Sequence, residues 1–166
     1  MASKIKVDQI QTGDGTGTIA LQNQLSGMTS ASMPTGSVLQ VVQATTTTQT
    51  ASASTVYVST AITAAITPSS TSSKILVSVT SNMETNASGE QAWFSIYNGS
   101  SDIAQGYLKQ PPLTGSPVYP IAIDKLDSPS STSAVTYTLR MKATSSTIVA
   151  NIGTSIGVIT LMEIAG

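Results

Sequence analysis

Neither cysteine nor histidine occurs in this chain. Without thiols there are no disulfide staples, thiolate metal sites or cysteine nucleophiles. Without imidazole, the usual general base near neutral pH and the commonest metal ligand are gone. Charge is scarce: Asp, Glu, Lys and Arg make up 9%, against roughly 25% in an average soluble protein. Seven basic residues, scattered from Lys4 to Lys142, face eight acidic ones for a net charge of −1. No basic patch is readable, so no nucleic-acid partner is expected. No apolar run approaches a membrane span, and no membrane partner is expected either. The opening Met1-Ala2-Ser3-Lys4-Ile5-Lys6 lacks the apolar core of a secretory signal, which predicts synthesis in a cytoplasm.

What remains is rich in hydroxyls. Ser and Thr together reach roughly 30% of the 166 residues, far above usual levels. Thr favours pleated, half-buried positions and Ser favours turns. Hydrophobic residues make up 40%, enough for one domain with a real core.

The first 35 residues differ from the rest. Lys4–Asp8 alternates like a short strand, Gly13-Asp14-Gly15-Thr16-Gly17 breaks it, and Thr18–Leu21 reads as a second short strand. Residues 1–35 hold too little apolar surface to fold alone. They are expected to form an extended arm and linker, with Ile5, Val7, Ile10, Ile19 and Leu21 as its contacts to other chains.

From Gly36 onward, strand patterns alternate with turn clusters. Strands are predicted over Val38–Gln43, Thr55–Ile66, Lys74–Thr80, Ala92–Tyr97, Val118–Ile123, Ala134–Lys142, Thr147–Ile152 and Ile156–Ile164. Thr45–Ser54 reads as a loop or frayed edge, Asn82–Glu90 as a polar loop, and Asn98-Gly99 as a tight turn. In Ala134–Lys142, Val135, Tyr137, Leu139 and Met141 are expected to face a core. Eight short strands and no helical period predict an all-β fold, a jelly-roll-like antiparallel β-sandwich over residues 36–166.

The last strand is apolar on both faces: Val158, Thr160, Met162 and Ile164 on one, Ile159, Leu161 and Glu163 on the other. Both faces therefore need cover, by a loop or by another subunit. Ile159 and Leu161 are the expected inter-subunit contacts, and Glu163 is an enclosed carboxylate in need of donors.

Catalytic and cofactor motifs are weak. Gly13–Gly17 lacks the Gly-Lys-Ser/Thr ending of a phosphate loop. Asp124 and Asp127 form an isolated carboxylate pair, read as a solvated loop. Ser72-Ser73-Lys74 lacks the Ser-x-x-Lys spacing of a serine–lysine nucleophile. Asn86-Ala87-Ser88 and Asn98-Gly99-Ser100 match the glycosylation pattern but follow no export signal. The chain is read as not an enzyme, with no cofactor and no metal. Trp93, Phe94, Tyr97, Tyr107 and Tyr119 are candidate stacking residues, though most are needed for packing. Tyr107 and Tyr119, in a loop-rich stretch, are the best candidates for ligand contact, with host surface glycans as the ligand.

Several segments in order carry a resemblance. Lys4-Ile5-Lys6-Val7-Asp8-Gln9-Ile10 resembles the openings of tail-fibre and related virion proteins of cyanophages and other marine bacteriophages. Met33-Pro34-Thr35-Gly36-Ser37-Val38 resembles the link into their C-terminal domain. Ser72–Val77, Leu126–Pro129, Ser133–Tyr137 and Ile159–Ala165 also fit. The resemblance implies a β-sandwich on the virion surface, made in the host cytoplasm, in a homotrimer, with capsid or tail proteins as partners. A preface of about 35 residues leaves little room for a shaft. It favours a capsid decoration (cement) protein over a short tail fibre or fibre tip.

Overall fold

The computed structural model describes Ile10–Gln11, Thr18–Ile19 and residues 33–112 and 115–166. The regular elements are strands: β1 (Ile10–Gln11), β2 (Thr18–Ile19), β3 (Val38–Thr46), β4 (Thr50–Ser52), β5 (Val58–Ile66), β6 (Lys74–Thr85), β7 (Gln91–Tyr97), β8 (Asp102–Lys109), β9 (Val118–Asp127), β10 (Val135–Lys142), β11 (Ile148–Ala150) and β12 (Gly157–Ile164). Alternation of β-branched and polar residues dictates most of them. In β10, Tyr137, Leu139 and Met141 are fully buried and the residues between them are not. Asn98 closes the β7–β8 hairpin: its Oδ1 accepts from the Ser100 and Ser101 amides, and Gly99 takes the positive φ of 89°.

Two antiparallel sheets hold the core between them. The smaller runs β5-β10-β7-β8; the larger runs β3-β12-β6-β11-β4, with β9 on the other edge of β6. β3 and β4 act as one broken ribbon, and so do β11 and β12. Counted that way the two sheets of the sandwich contain eight ribbons, β1 and β2 forming a separate pair. The larger sheet orders them first, eighth, third, sixth; the smaller orders them second, seventh, fourth, fifth. First pairs with eighth, second with seventh, third with sixth and fourth with fifth, each antiparallel. One long hairpin rolled up on itself has this order, and that is a jelly roll.

Both broken ribbons break at the same level because Asn151 pins them. It is buried, sits at φ 59°, and Asn is among the few non-glycine residues that tolerate that region. Its Nδ2 donates to the Thr46 carbonyl at 2.9 Å and the Thr48 carbonyl at 3.3 Å. Next to it, the Ile152 amide donates to Asn82 Oδ1 at 2.8 Å. Where β12 resumes, Gly157 lies under Ile62: a Cβ there would fall 2.5 Å from Ile62 Cδ1.

The core consists of the two inner faces, including Ile62, Ile66, Ile75, Val77, Val79, Met83, Phe94, Ile96, Tyr137, Leu139, Met141, Ile159 and Leu161. Tyr137 is the largest side chain wholly inside. Its hydroxyl donates to Asp127 Oδ2 at 2.8 Å, and burial, then the carboxylate, push the phenol far above its ordinary value.

The sandwich departs from the sequence reading in four places. β6 continues to Thr85, through the start of the expected polar loop, because Met83 and Thr85 point into the core while Asn82 and Glu84 point away. The hydroxyl run at 45–54 contains the end of β3 and all of β4. Residues 102–109, given no structure above, form β8. Asp124 and Asp127 lie within β9 rather than a solvated loop. Three residues apart on a strand, they face opposite ways.

Candidate functional site

The outer face of the smaller sheet carries a cross-strand ladder. Cα pairing sets Trp93 between Tyr107 on β8 and Lys142 on β10. Side chains on one face of paired strands touch directly. The Trp93 and Tyr107 rings stack at 4.7 Å with 25° between planes. Lys142 Nζ lies 5.2 Å from the Trp93 centroid and 4.7 Å from that of Tyr57. One row along, Arg140 sits 4.6 Å from the Tyr97 ring, pairs with Asp102 at 3.2 Å and donates to the Tyr57 carbonyl at 2.7 Å. Cations over ring faces are attracted by the ring quadrupole. Here the ring faces are largely occupied from within the chain. Tyr107, on the sheet edge, is the exception at 55% exposed.

The outer face of the larger sheet is built otherwise. Pairing aligns Val41, Met162, Leu76 and Leu126 in one row across β3, β12, β6 and β9. Val41 is 57% exposed and Leu126 48%. On one side of the row stand Ile164 and Lys74; on the other stand Gln43, Thr160, Ser78 and Asp124. Lys74 and Asp124 are exposed, and neither has an ion-pair partner among the described residues.

Two buried carboxylates tie loops to the sandwich. Glu163 accepts from Gln40 Nε2 at 2.6 Å, the Ser69 amide at 2.7 Å and the Ser69 hydroxyl at 2.6 Å. Glu90 accepts from the Thr144 and Ser145 amides and hydroxyls. Burial pushes both carboxyls up, and the donors around them outweigh it, so both titrate below their ordinary value. The donors that Glu163 needs by its position are thus supplied by Gln40 and the turn after β5. Beside this latch lies a depression of about 220 Å³ lined by Met33, Leu39, Ser69, Ser70, Ser72, Ser73, Ala165 and Gly166, with no titratable side chain. Among the described residues no three acidic side chains cluster to hold a metal ion.

The structure places the expected contact residues unevenly. Ile5, Val7 and Leu21 lie outside the described residues. Ile10 and Ile19 are Cα partners in the β1–β2 ladder. Ile159 and Leu161 cannot be inter-subunit contacts as expected: both are fully buried against the opposite sheet of their own chain. The outward face of β12 belongs to Val158, Thr160, Met162 and Ile164 instead. Tyr107 and Tyr119 lie on strands rather than loops, and they do not converge. Tyr107 points outward from β8, whereas Tyr119 is on β9 in the other sheet, partly buried beside Met83. Sequence reading missed the Trp93–Tyr107 pairing and the Val41–Leu126 row. Both depend on register between strands distant in sequence.

No family profile matches the chain, and no curated protein matches it. Solved structures of infectious bursal disease virus are similar in part. The Gx strain structure gives 13% identity and a TM-score of 0.41 over 77% of this chain. The VP2 subviral particle gives 12% and 0.38 over 76%, and the T=1 particle gives 11% and 0.40 over 95%. The chain spans 43%, 38% and 41% of those proteins respectively. The jelly-roll assignment stands on the strand order itself.

Proposed function

We propose that this chain is a non-enzymatic virion structural protein, a homotrimeric decoration knob that cements a bacteriophage head. The observation that carries this reading is a closed jelly roll whose apolar content does not end at its core. Val38, Val41 and Leu126 are about half exposed on the larger sheet. Contiguous apolar surface of that kind marks a contact with protein. Residues 1–35 act as the arm, lying on the shell or on neighbouring chains and gaining backbone hydrogen bonds there by strand addition. Burial of surface between copies then strengthens the shell with no bond made or broken.

Purified particles bearing tagged copies test it: head labelling by electron microscopy is expected, and labelling of the tail alone overturns it. Particles stripped of the protein should lose resistance to heat and regain it on adding the full chain. The solution mass of the full chain tests the count of three.

A second reading, a fibre tip contacting host glycans, draws on exposed Tyr107 beside Trp93. It predicts glycan-array binding that Tyr107→Ala removes. The occupied faces of Trp93 and Tyr97 leave little stacking surface, which favours the decoration role.

A further inference from the structure

We infer that the outer face of the larger sheet is a two-fold contact, in which two copies of this chain stack face to face about an axis running along the Val41–Met162–Leu76–Leu126 row. The evidence is self-complementarity. A two-fold interface uses the same patch twice, so the patch must match itself under the rotation. Rotation about the row leaves the row in place and exchanges its two sides. Each apolar side chain then meets its own counterpart.

The charges decide the axis. Lys74 lies one side-chain step from the row on β6, and Asp124 lies one step away on the other side, on the neighbouring β9. Rotation about the row carries Lys74 across to face Ser78, one strand from Asp124. Packed sheets stand about 10 Å apart and adjacent strands about 4.8 Å. A lysine side chain spans that offset to a short carboxylate. The pairing forms twice per contact and uses Lys74 and Asp124, the two charged groups that flank the row, neither of which has an ion-pair partner among the described residues. Rotation about an axis along the strands brings Lys74 over Ile164 and Asp124 over Gln43, and no charge is matched. The strands of the two copies run antiparallel, which suits aligned sheet packing.

Such a contact occupies the Val41–Leu126 surface, so any three-fold contact must use another face of the sandwich. It joins copies in pairs and so can link one trimer to the next. It stands on its own geometry, whether or not the chain rides on a particle.

Charge reversal in the full chain is the test, read by sedimentation across a concentration series. Lys74→Asp alone and Asp124→Lys alone should each weaken the pairing step about tenfold, since each loses two attractions and gains two repulsions. The double reversal should recover it to within about threefold of the starting chain. Both sites are exposed, and unchanged circular dichroism and melting will show the fold intact. A label gives the axis directly. The chain has no cysteine, so Leu126→Cys carries a unique thiol, and a bis-maleimide with an arm of about 10 Å should give covalent dimers on a denaturing gel. If Val41→Cys and Leu126→Cys cross-link only with each other, the axis lies along the strands and the proposal fails. No pairing step at any concentration also overturns it. So does a Leu126→Cys thiol shielded in a chain that does not pair, which assigns the row to residues 1–32 or to a different protein.

Discussion

On the outer face of the smaller sheet, Trp93, Tyr97 and Tyr57 each meet a cation from the same chain. On the outer face of the larger sheet, Val41, Met162, Leu76 and Leu126 have only one another, and the outermost two are about half exposed. Both faces belong to one jelly roll, and in both the register sets which side chains become neighbours. In the first, strands bring together unlike groups that satisfy each other. In the second, they bring together like groups that satisfy nothing but the wish to leave water. One face is complete in a single chain; the other calls for a second.

That contrast can be broken most forcefully along β12, where neighbouring residues serve opposite sides. Leu161→Ala should cost about 3 kcal/mol of folding stability by leaving a cavity in the core. Met162→Ala should cost under about 1 kcal/mol while weakening association. Denaturant unfolding beside sedimentation separates the two effects, and equal losses of stability would erase the distinction between the faces.

The next largest effect tests the latch behind the larger sheet. Glu163→Gln should cost about 2 kcal/mol at neutral pH, since Ser69 and Gln40 lose a charged acceptor. Glu163 and Glu90 titrate below 4.5 in the folded chain. Their stabilisation is therefore present in full above about pH 4.5 and is lost as pH falls through the lower, folded values. Melting temperature followed from pH 7 to pH 3 should drop steeply for the starting chain and less steeply for the Glu90→Gln, Glu163→Gln pair.

Smaller effects belong to the completed face. Arg140→Ala removes the Asp102 pair, the donor to the Tyr57 carbonyl and the cation over Tyr97, at about 1.5 kcal/mol. Its cost should be intrinsic to one chain, with no change in association. At the low end, Val41→Thr should leave stability within about 0.5 kcal/mol but reduce binding of a hydrophobic dye. A dye signal that does not move would mean the row is already covered.

The sequence made the jelly roll's inner strands legible, and for a physical reason. β10 alternates strictly, Val135, Tyr137, Leu139 and Met141 against Thr136, Thr138, Arg140 and Lys142, because one of its faces meets the core and the other meets water. The edges hid. β8 lies at the end of its sheet with a register shift opposite Ile96, and Ile-Ala-Gln-Gly-Tyr shows little contrast between its faces. β9 carries Asp124, Lys125 and Asp127, charges that edge strands use to discourage unwanted pairing and that read as a loop. β12 was recognised as apolar on both faces, yet which face was inside could not follow from composition alone. Cα pairing with β3 and β6 decides it, putting Ile159 and Leu161 in the core and Met162 outside. The donors to Glu163 come from Gln40 and Ser69, 123 and 94 residues away, beyond the reach of any local pattern.

The ladder between the first and last ribbons has one more consequence. The Gly36 amide donates to the Ala165 carbonyl at 2.8 Å, and the Ala165 amide donates to the Ser37 carbonyl at 2.8 Å. The sandwich thus begins and ends at one pole, while the Ala87–Gly89 turn sits beyond the far end of β6, roughly 40 Å away. A circular permutant joined from Gly166 to Met33 and opened at Ser88 should keep every ribbon pair. Its new ends would emerge at the opposite pole, so a cargo fused there would be displayed away from the seam where Gly36 and Ala165 pair.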